Sequence, residues 1–139
     1  MRHIGVYVKN LELMKKFYCD NFHMTEEIHS TEHSQYIDII LGGKNLYVEL
    51  YKLKTRDDGL IELLKIKPEN YEKRAQKEVY DLGQMHIALT VENIYEIYNT
   101  LKAQGIEFIS EPYLSADGYA KVCFCKDPEG NYIELVQVE

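Results

Sequence analysis

His3-Ile4-Gly5-Val6, Tyr47-Val48-Glu49-Leu50, His86-Ile87-Ala88-Leu89 and Tyr132-Ile133-Glu134-Leu135 read as two copies of one pair. A histidine opens a β-strand, and later a glutamate sits inside a Tyr-aliphatic-Glu-Leu strand. Around the histidines the likeness extends further. His3-Ile4 with Val8 and Asn10 matches His86-Ile87 with Val91 and Asn93 at the same spacing. One structural unit duplicated in tandem accounts for this.

Working outward, residues 2–8 alternate, with Ile4, Val6 and Val8 opposite His3, Gly5 and Tyr7. That is a half-buried strand. Asn10 suits an N-cap, and Leu11, Met14, Phe17 and Tyr18 recur at helical spacing to about residue 21. Residues 24–30 read as a weak strand. Residues 36–41 and 45–53 read as stronger ones, parted by Gly42-Gly43 as a hairpin signal. Residues 54–82 break the pattern and read as a charged connector, with a surface helix over 69–80. The opening pattern then returns. Residues 84–91 form a strand, and Asn93 caps a helix with Ile94, Ile97, Tyr98 and Leu101 as its stripe. Gly105 ends that helix. Strands follow at 106–109, 118–126 and 132–138, the last after the turn Asp127-Pro128-Glu129-Gly130-Asn131. The expected class is α+β: tandem βαβββ modules, about 1–53 and 83–139, forming a curved sheet around a metal-site cavity within a single domain over 1–139.

Composition narrows the function. A chain of 139 residues with a formal charge of −7 is poorly suited to nucleic acid, whose phosphates attract basic surfaces. No apolar run is long enough to span a membrane and no secretory h-region opens the chain, so a cytoplasmic protein is expected. Cys123 and Cys125 alternate on one strand and point to one face, which does not favour a bridge, so reduced thiols are expected.

The four polar residues carry the chemistry. In each strand the candidate ligand lies opposite an aliphatic row. If the aliphatic rows cover the helices, His3, Glu49, His86 and Glu134 share the other face of their sheets. Two imidazoles and two carboxylates make a mixed N/O set suited to divalent Ni, Co, Mn, Fe or Zn. Four such ligands on an octahedral ion leave two positions for water or substrate, as catalysis requires.

These residues carry a family resemblance. The chain resembles the vicinal oxygen chelate superfamily, and within it the glyoxalase I branch. The resemblance rests on His3-Ile4 with its helix ending in Phe17-Tyr18, on Val48-Glu49-Leu50, and on His86-Ile87-Ala88-Leu89-Thr90-Val91. It rests as well on Phe124, Asp127-Pro128, Gly130 and Ile133-Glu134-Leu135. It implies paired modules in a homodimer, with metal ligands at His3, Glu49, His86 and Glu134. It also implies a small-molecule substrate and proton transfer next to a metal-bound carbonyl of a hemithioacetal, with glutathione as cosubstrate. Glu134 is then the base and Glu49 its counterpart on the opposite face. Asp38, placed on the 36–41 strand, is a further candidate base of the kind seen in epimerases.

Departures bear on the substrate. Glutathione-dependent members commonly place Arg where Tyr7 stands, and Tyr cannot replace a charged fork. Arg56, Arg74 and Lys121 are the remaining local cations. Tyr7, Tyr36, Tyr47, Tyr51, Tyr119 and Tyr132 are expected on the cavity side, where they suit an apolar or aromatic ligand. His23, His29 and His33 fall outside the repeat and read as surface residues. The alternatives are a methylmalonyl-CoA epimerase-like enzyme, for which Glu49 stands in place of the typical Gln, and a non-catalytic antibiotic-binding protein. An extradiol dioxygenase, lacking a ligand at the position of Glu49, is more distant.

Overall fold

A computed structural model describes residues 1–69 and 77–138. The chain divides into two compact units, Met1–Arg74 and Ala75–Glu139. The first runs β1 (Ile4–Tyr7), α1 (Leu11–Phe22), β2 (Thr25–Glu32), α2 (Gln35–Leu41), β3 (Tyr47–Lys54) and β4 (Leu60–Lys67). The second runs β5 (His86–Thr90), α3 (Ile94–Ala103), β6 (Tyr113–Leu114), β7 (Ala120–Lys126) and β8 (Tyr132–Val138). Each unit holds one four-stranded mixed sheet, ordered β1-β4-β3-β2 in the first and β5-β8-β7-β6 in the second. The class is α+β, as expected, and the sheets are curved and unclosed.

The repeated asparagines act as read. The Asn10 side chain accepts from the Leu13 N–H, and the Asn93 side chain from the Glu96 N–H. Each satisfies one of the donors a helix start leaves unpaired. Behind the caps, α1 buries Leu11, Met14, Phe17 and Tyr18, and α3 buries Ile94, Tyr98 and Leu101. In the first unit α1 packs on β3 and β4, where Leu53 and Leu63 are fully buried. Each such side chain contributes about 2 kcal/mol of transfer free energy.

Two departures lie in the first unit. Residues 36–41, expected as a strand, form α2. Gly42 follows it in the left-handed region at φ 67°, with its N–H on the Ile39 carbonyl and the Gly43 N–H on that of Asp38. This is the hydrogen-bonded exit of a helix, and Gly reaches it without a Cβ penalty. Both Asp38 carboxylate oxygens accept backbone N–H groups, from Leu46 and Asn45, each at 2.8 Å. Asp38 therefore stitches the end of α2 to the start of β3. The strand on which its reading as a base rested does not exist.

The second departure is β4, which lies within the stretch expected as a connector. Thr55–Gly59 turns the chain back, with the Thr55 N–H on the Gly59 carbonyl and Asp58 at φ 65°. β4 then pairs antiparallel with β3 along its length and parallel with β1. The helix expected over 69–80 falls largely on residues 70–76, outside the described residues, as does Arg74.

In the second unit residues 106–109 give a single bridge, Phe108 to Cys125, and the short edge strand is β6. Cys123 and Cys125 are buried free thiols on the α3 side of β7. Among the described residues no helix is long and apolar enough to cross a membrane.

Two outcomes are expected from this packing. Burial pushes the Cys123 thiol up to about 11 and Cys125 up to about 12. The thiolate is the reactive form, so at pH 8 both should resist a thiol reagent in the native protein and react once it is denatured. Cys labelling followed by peptide mass analysis reads this directly. Asp38→Ala should cost about 1–2 kcal/mol in urea unfolding, because two backbone donors lose a charged acceptor.

Candidate metal centre

In each unit a histidine at the start of an edge strand meets a carboxylate on the parallel neighbour. In the second unit β5 pairs with β8 in the register Ala88 to Glu134. His86 Nε2 then stands 3.2 Å from Glu134 Oε2. Phe124, the cross-strand neighbour of Glu134 on β7, sets its ring edge-on to His86 at 5.1 Å between centroids.

In the first unit the matching pair is His3 and Glu62. The register of β1 with β4 puts Gly5 beside Glu62, as Ala88 stands beside Glu134. His3 Nε2 lies 3.6 Å from Glu62 Oε1. Glu62 is one of two buried charged residues, Asp127 being the other, among the described residues. Its second oxygen, Oε2, lies 3.2 Å from Lys52 Nζ on β3.

Glu49 does not take this place. Cross-strand partners share a face, and successive residues alternate. Lys52 is opposite Glu62, so Glu49, three residues earlier, points to the other face. That face is the one α1 covers, since the Tyr51 hydroxyl donates to Glu12 of α1. There Glu49 Oε1 sits 3.0 Å from His29 Nε2, and the His29 ring stacks on Tyr51 at 4.2 Å. The strand register therefore makes Glu62, not Glu49, the counterpart of Glu134.

The sequence carried a signal for this. Ile61-Glu62-Leu63 repeats Ile133-Glu134-Leu135 letter for letter, and Asp57-Asp58-Gly59 before it is a turn signal. His29 is exposed as expected, although it has a partner in Glu49. His23 and His33 are also exposed. The tyrosines scatter. Tyr7 follows the parity of His3 and is 61% exposed, Tyr51 lies on the α1 side and Tyr36 lies on α2. Tyr132 follows the parity of Glu134 and donates to the Lys77 carbonyl. Lys121, on β7, follows the parity of Cys123, on the α3 side.

Each pair fits half of a divalent-ion site. Nitrogen and oxygen donors at metal distance and in adjacent positions stand about 3 Å apart, and the two separations are 3.2 and 3.6 Å. Nε2 faces the carboxylate in both pairs. In the first, Nδ1 of His3 is buried with no hydrogen-bond partner. Among the described residues no group of three or more His, Cys, Asp or Glu side chains gathers as a metal site. What the structure shows is one His–carboxylate pair in matching register per unit, with His29–Glu49 as a further pair on the other face of the first sheet.

Paired four-stranded units, each with a histidine at its edge strand against a carboxylate on the parallel neighbour, define a tandem-module fold. The chain belongs to the Glyoxalase/Bleomycin resistance protein/Dioxygenase superfamily, whose model matches residues 1–135. Over 60 residues it is 40% identical to a probable lactoylglutathione lyase of Synechocystis sp. (strain ATCC 27184 / PCC 6803 / Kazusa), covering 42% of this chain and 46% of that protein. The chain thus spans less than half the length of that relative. Among solved structures it is similar to a glyoxalase family protein from Bacillus cereus. The TM-score is 0.90 at 22% identity, over 99% of this chain and 93% of that one. It is also similar to the fosfomycin resistance protein FosX from Listeria monocytogenes, solved with Mn(II) and 1S,2S-dihydroxypropylphosphonic acid. There the TM-score is 0.66 at 18% identity, over 97% and 86% of the two chains. At these identities both likenesses show the fold. Members of the superfamily use divalent metals.

Proposed function

We propose that the protein is a metal-dependent lyase or isomerase of glyoxalase I type. It acts on a hemithioacetal-like substrate by moving a proton between the two carbons of a hydroxy-carbonyl unit. The observation that carries this reading is the pair of His–Glu contacts in matching register, His3–Glu62 and His86–Glu134. Together they supply two imidazoles and two carboxylates, a donor set suited to divalent Ni, Co, Mn, Fe or Zn. Two donors do not fill a coordination sphere, so the reading requires both pairs, drawn from one chain or from two copies in a homodimer.

A divalent ion held by these residues would supply Lewis-acid polarisation of a substrate carbonyl. Glu134 takes the proton from the carbon next to that carbonyl and returns it to the neighbouring carbon, so no proton is lost overall. Glu62 is its counterpart by register in the first unit. His3 and His86 hold the donor set. Phe124 packs against His86 and limits the orientations its ring can take.

Glutathione as cosubstrate is supported by the relatives' name, lactoylglutathione lyase. Tyr7, where Arg is common in glutathione-dependent members, favours an apolar or aromatic substituent instead. The second reading, an acyl-thioester epimerase, loses the support of Asp38, which lies on α2 with both oxygens engaged. The Glu-for-Gln distinction from epimerases passes from Glu49 to Glu62.

Metal analysis of the purified protein and its variants tests the site. Glu62→Gln and Glu134→Gln should each lower affinity for Ni²⁺ at least tenfold in calorimetry. Glu49→Gln should stay within threefold of the parent. Equal losses in Glu49→Gln and Glu62→Gln would overturn the assignment. Turnover of the methylglyoxal–glutathione hemithioacetal, compared with solvent-deuterium exchange into an acyl-CoA, separates the two reactions. Glu134→Gln should reduce kcat of whichever occurs by at least a hundredfold.

A further inference from the structure

The two His–Glu pairs match in register but not in their third neighbour. In the second unit the cross-strand partner of Glu134 is Phe124, an apolar ring. In the first unit the cross-strand partner of Glu62 is Lys52, whose ammonium lies 3.2 Å from Glu62 Oε2. The Lys52 side chain is 20% exposed and that of Glu62 11%. A pair this sheltered is screened less by salt than one in open water. The geometry is imposed by the sheet. Lys52 and Glu62 sit directly opposite each other on the face that His3 shares, so the ammonium cannot leave without changing rotamer.

We infer that Lys52 is a built-in cation that competes with a divalent metal ion for Glu62, so that the first His–Glu pair binds metal more weakly than its own donors allow. This rests on the metal reading above. One Glu62 oxygen faces His3 and the other faces Lys52. A divalent ion seated against His3 Nε2 and Glu62 meets a like charge a few ångströms away, and like charges at that range repel strongly where water is partly excluded. Loading then requires the ammonium to swing off Glu62. Once displaced, it remains a cation on the ligand-bearing face of the sheet. Lys52 is thus a positioning residue that acts through Glu62, and it makes the two pairs unequal partners.

The test uses the full chain, stripped with a chelator and titrated with Ni²⁺ by calorimetry. Lys52→Met keeps the length of the side chain and removes the charge; Lys52→Gln is a second neutral variant should the first fail to fold. Lys52→Arg keeps the charge. The neutral variants are expected to bind Ni²⁺ at least tenfold more tightly than the parent, and Lys52→Arg to stay within threefold. Adding Glu62→Gln to a neutral variant should abolish the gain. A Lys52 with only a structural role gives the opposite sign, weaker binding in the neutral variants. Equal or weaker binding in a folded neutral variant overturns the inference alone. A gain that survives Glu62→Gln also overturns it, because Lys52 would then not act through that carboxylate. No uptake of Ni²⁺ by parent and neutral variants alike sinks the metal reading and the inference with it.

Discussion

Parallel pairing of a short edge strand with an Ile-Glu-Leu strand is the constraint on which the rest of this structure depends. In each unit that register, Gly5 to Glu62 and Ala88 to Glu134, brings a histidine and a carboxylate within reach. The pairing is parallel, so a crossover must join the strands, and α1 and α3 begin those connections. The helices in turn need one apolar sheet face. Ile61, Leu63, Ile133 and Leu135 provide it, and they flank Glu62 and Glu134 on both sides. The glutamates are thereby turned away from the face that α1 and α3 cover. A one-residue slip in either register would put the carboxylate under a helix.

Much of this was legible in the chain. The repeated His-Ile openings, the two capping asparagines and the alternation around His86 and Glu134 specify the second unit closely. The first unit misled for identifiable physical reasons. Leu60-Ile61-Glu62-Leu63-Leu64 is apolar on both faces, so β4 lacks clean alternation and merges with the charged residues after it. The isoleucines of 36–41 favour strand by propensity, yet the Gly42 exit and the Asp38 carboxylate close that segment as a helix. Tertiary context overrode the local preference.

Glu49 shows a subtler limit. Alternation says that Glu49 opposes Val48 and Leu50, and it does. It does not say which face of the strand the helix covers. On β3 the helix side carries Tyr51 and Leu53, while Val48 and Leu50 lie on the face of Glu62. An aliphatic row opposite a polar residue is therefore no guide to the site side until the pairing with a neighbouring strand is known. Two chemically reasonable His–Glu pairs result, His3–Glu62 and His29–Glu49, on opposite faces of one sheet.

Duplication explains why the first unit holds a His–Glu pair in the register of the second, but duplication does not require the two to remain alike. Identical donors with different third neighbours have different electrostatics. A phenyl ring directly across from Glu134 brings no charge to that carboxylate. An ammonium beside Glu62 supplies a compensating charge from within the chain. A carboxylate buried as Glu62 is carries a desolvation cost that a paired cation offsets. Lys52 can therefore stabilise the metal-free first unit while opposing metal at the same carboxylate, two effects of one charge with opposite consequences. The fold sets where the two glutamates stand, and the residue directly across the strand pair sets how freely each can serve as a ligand.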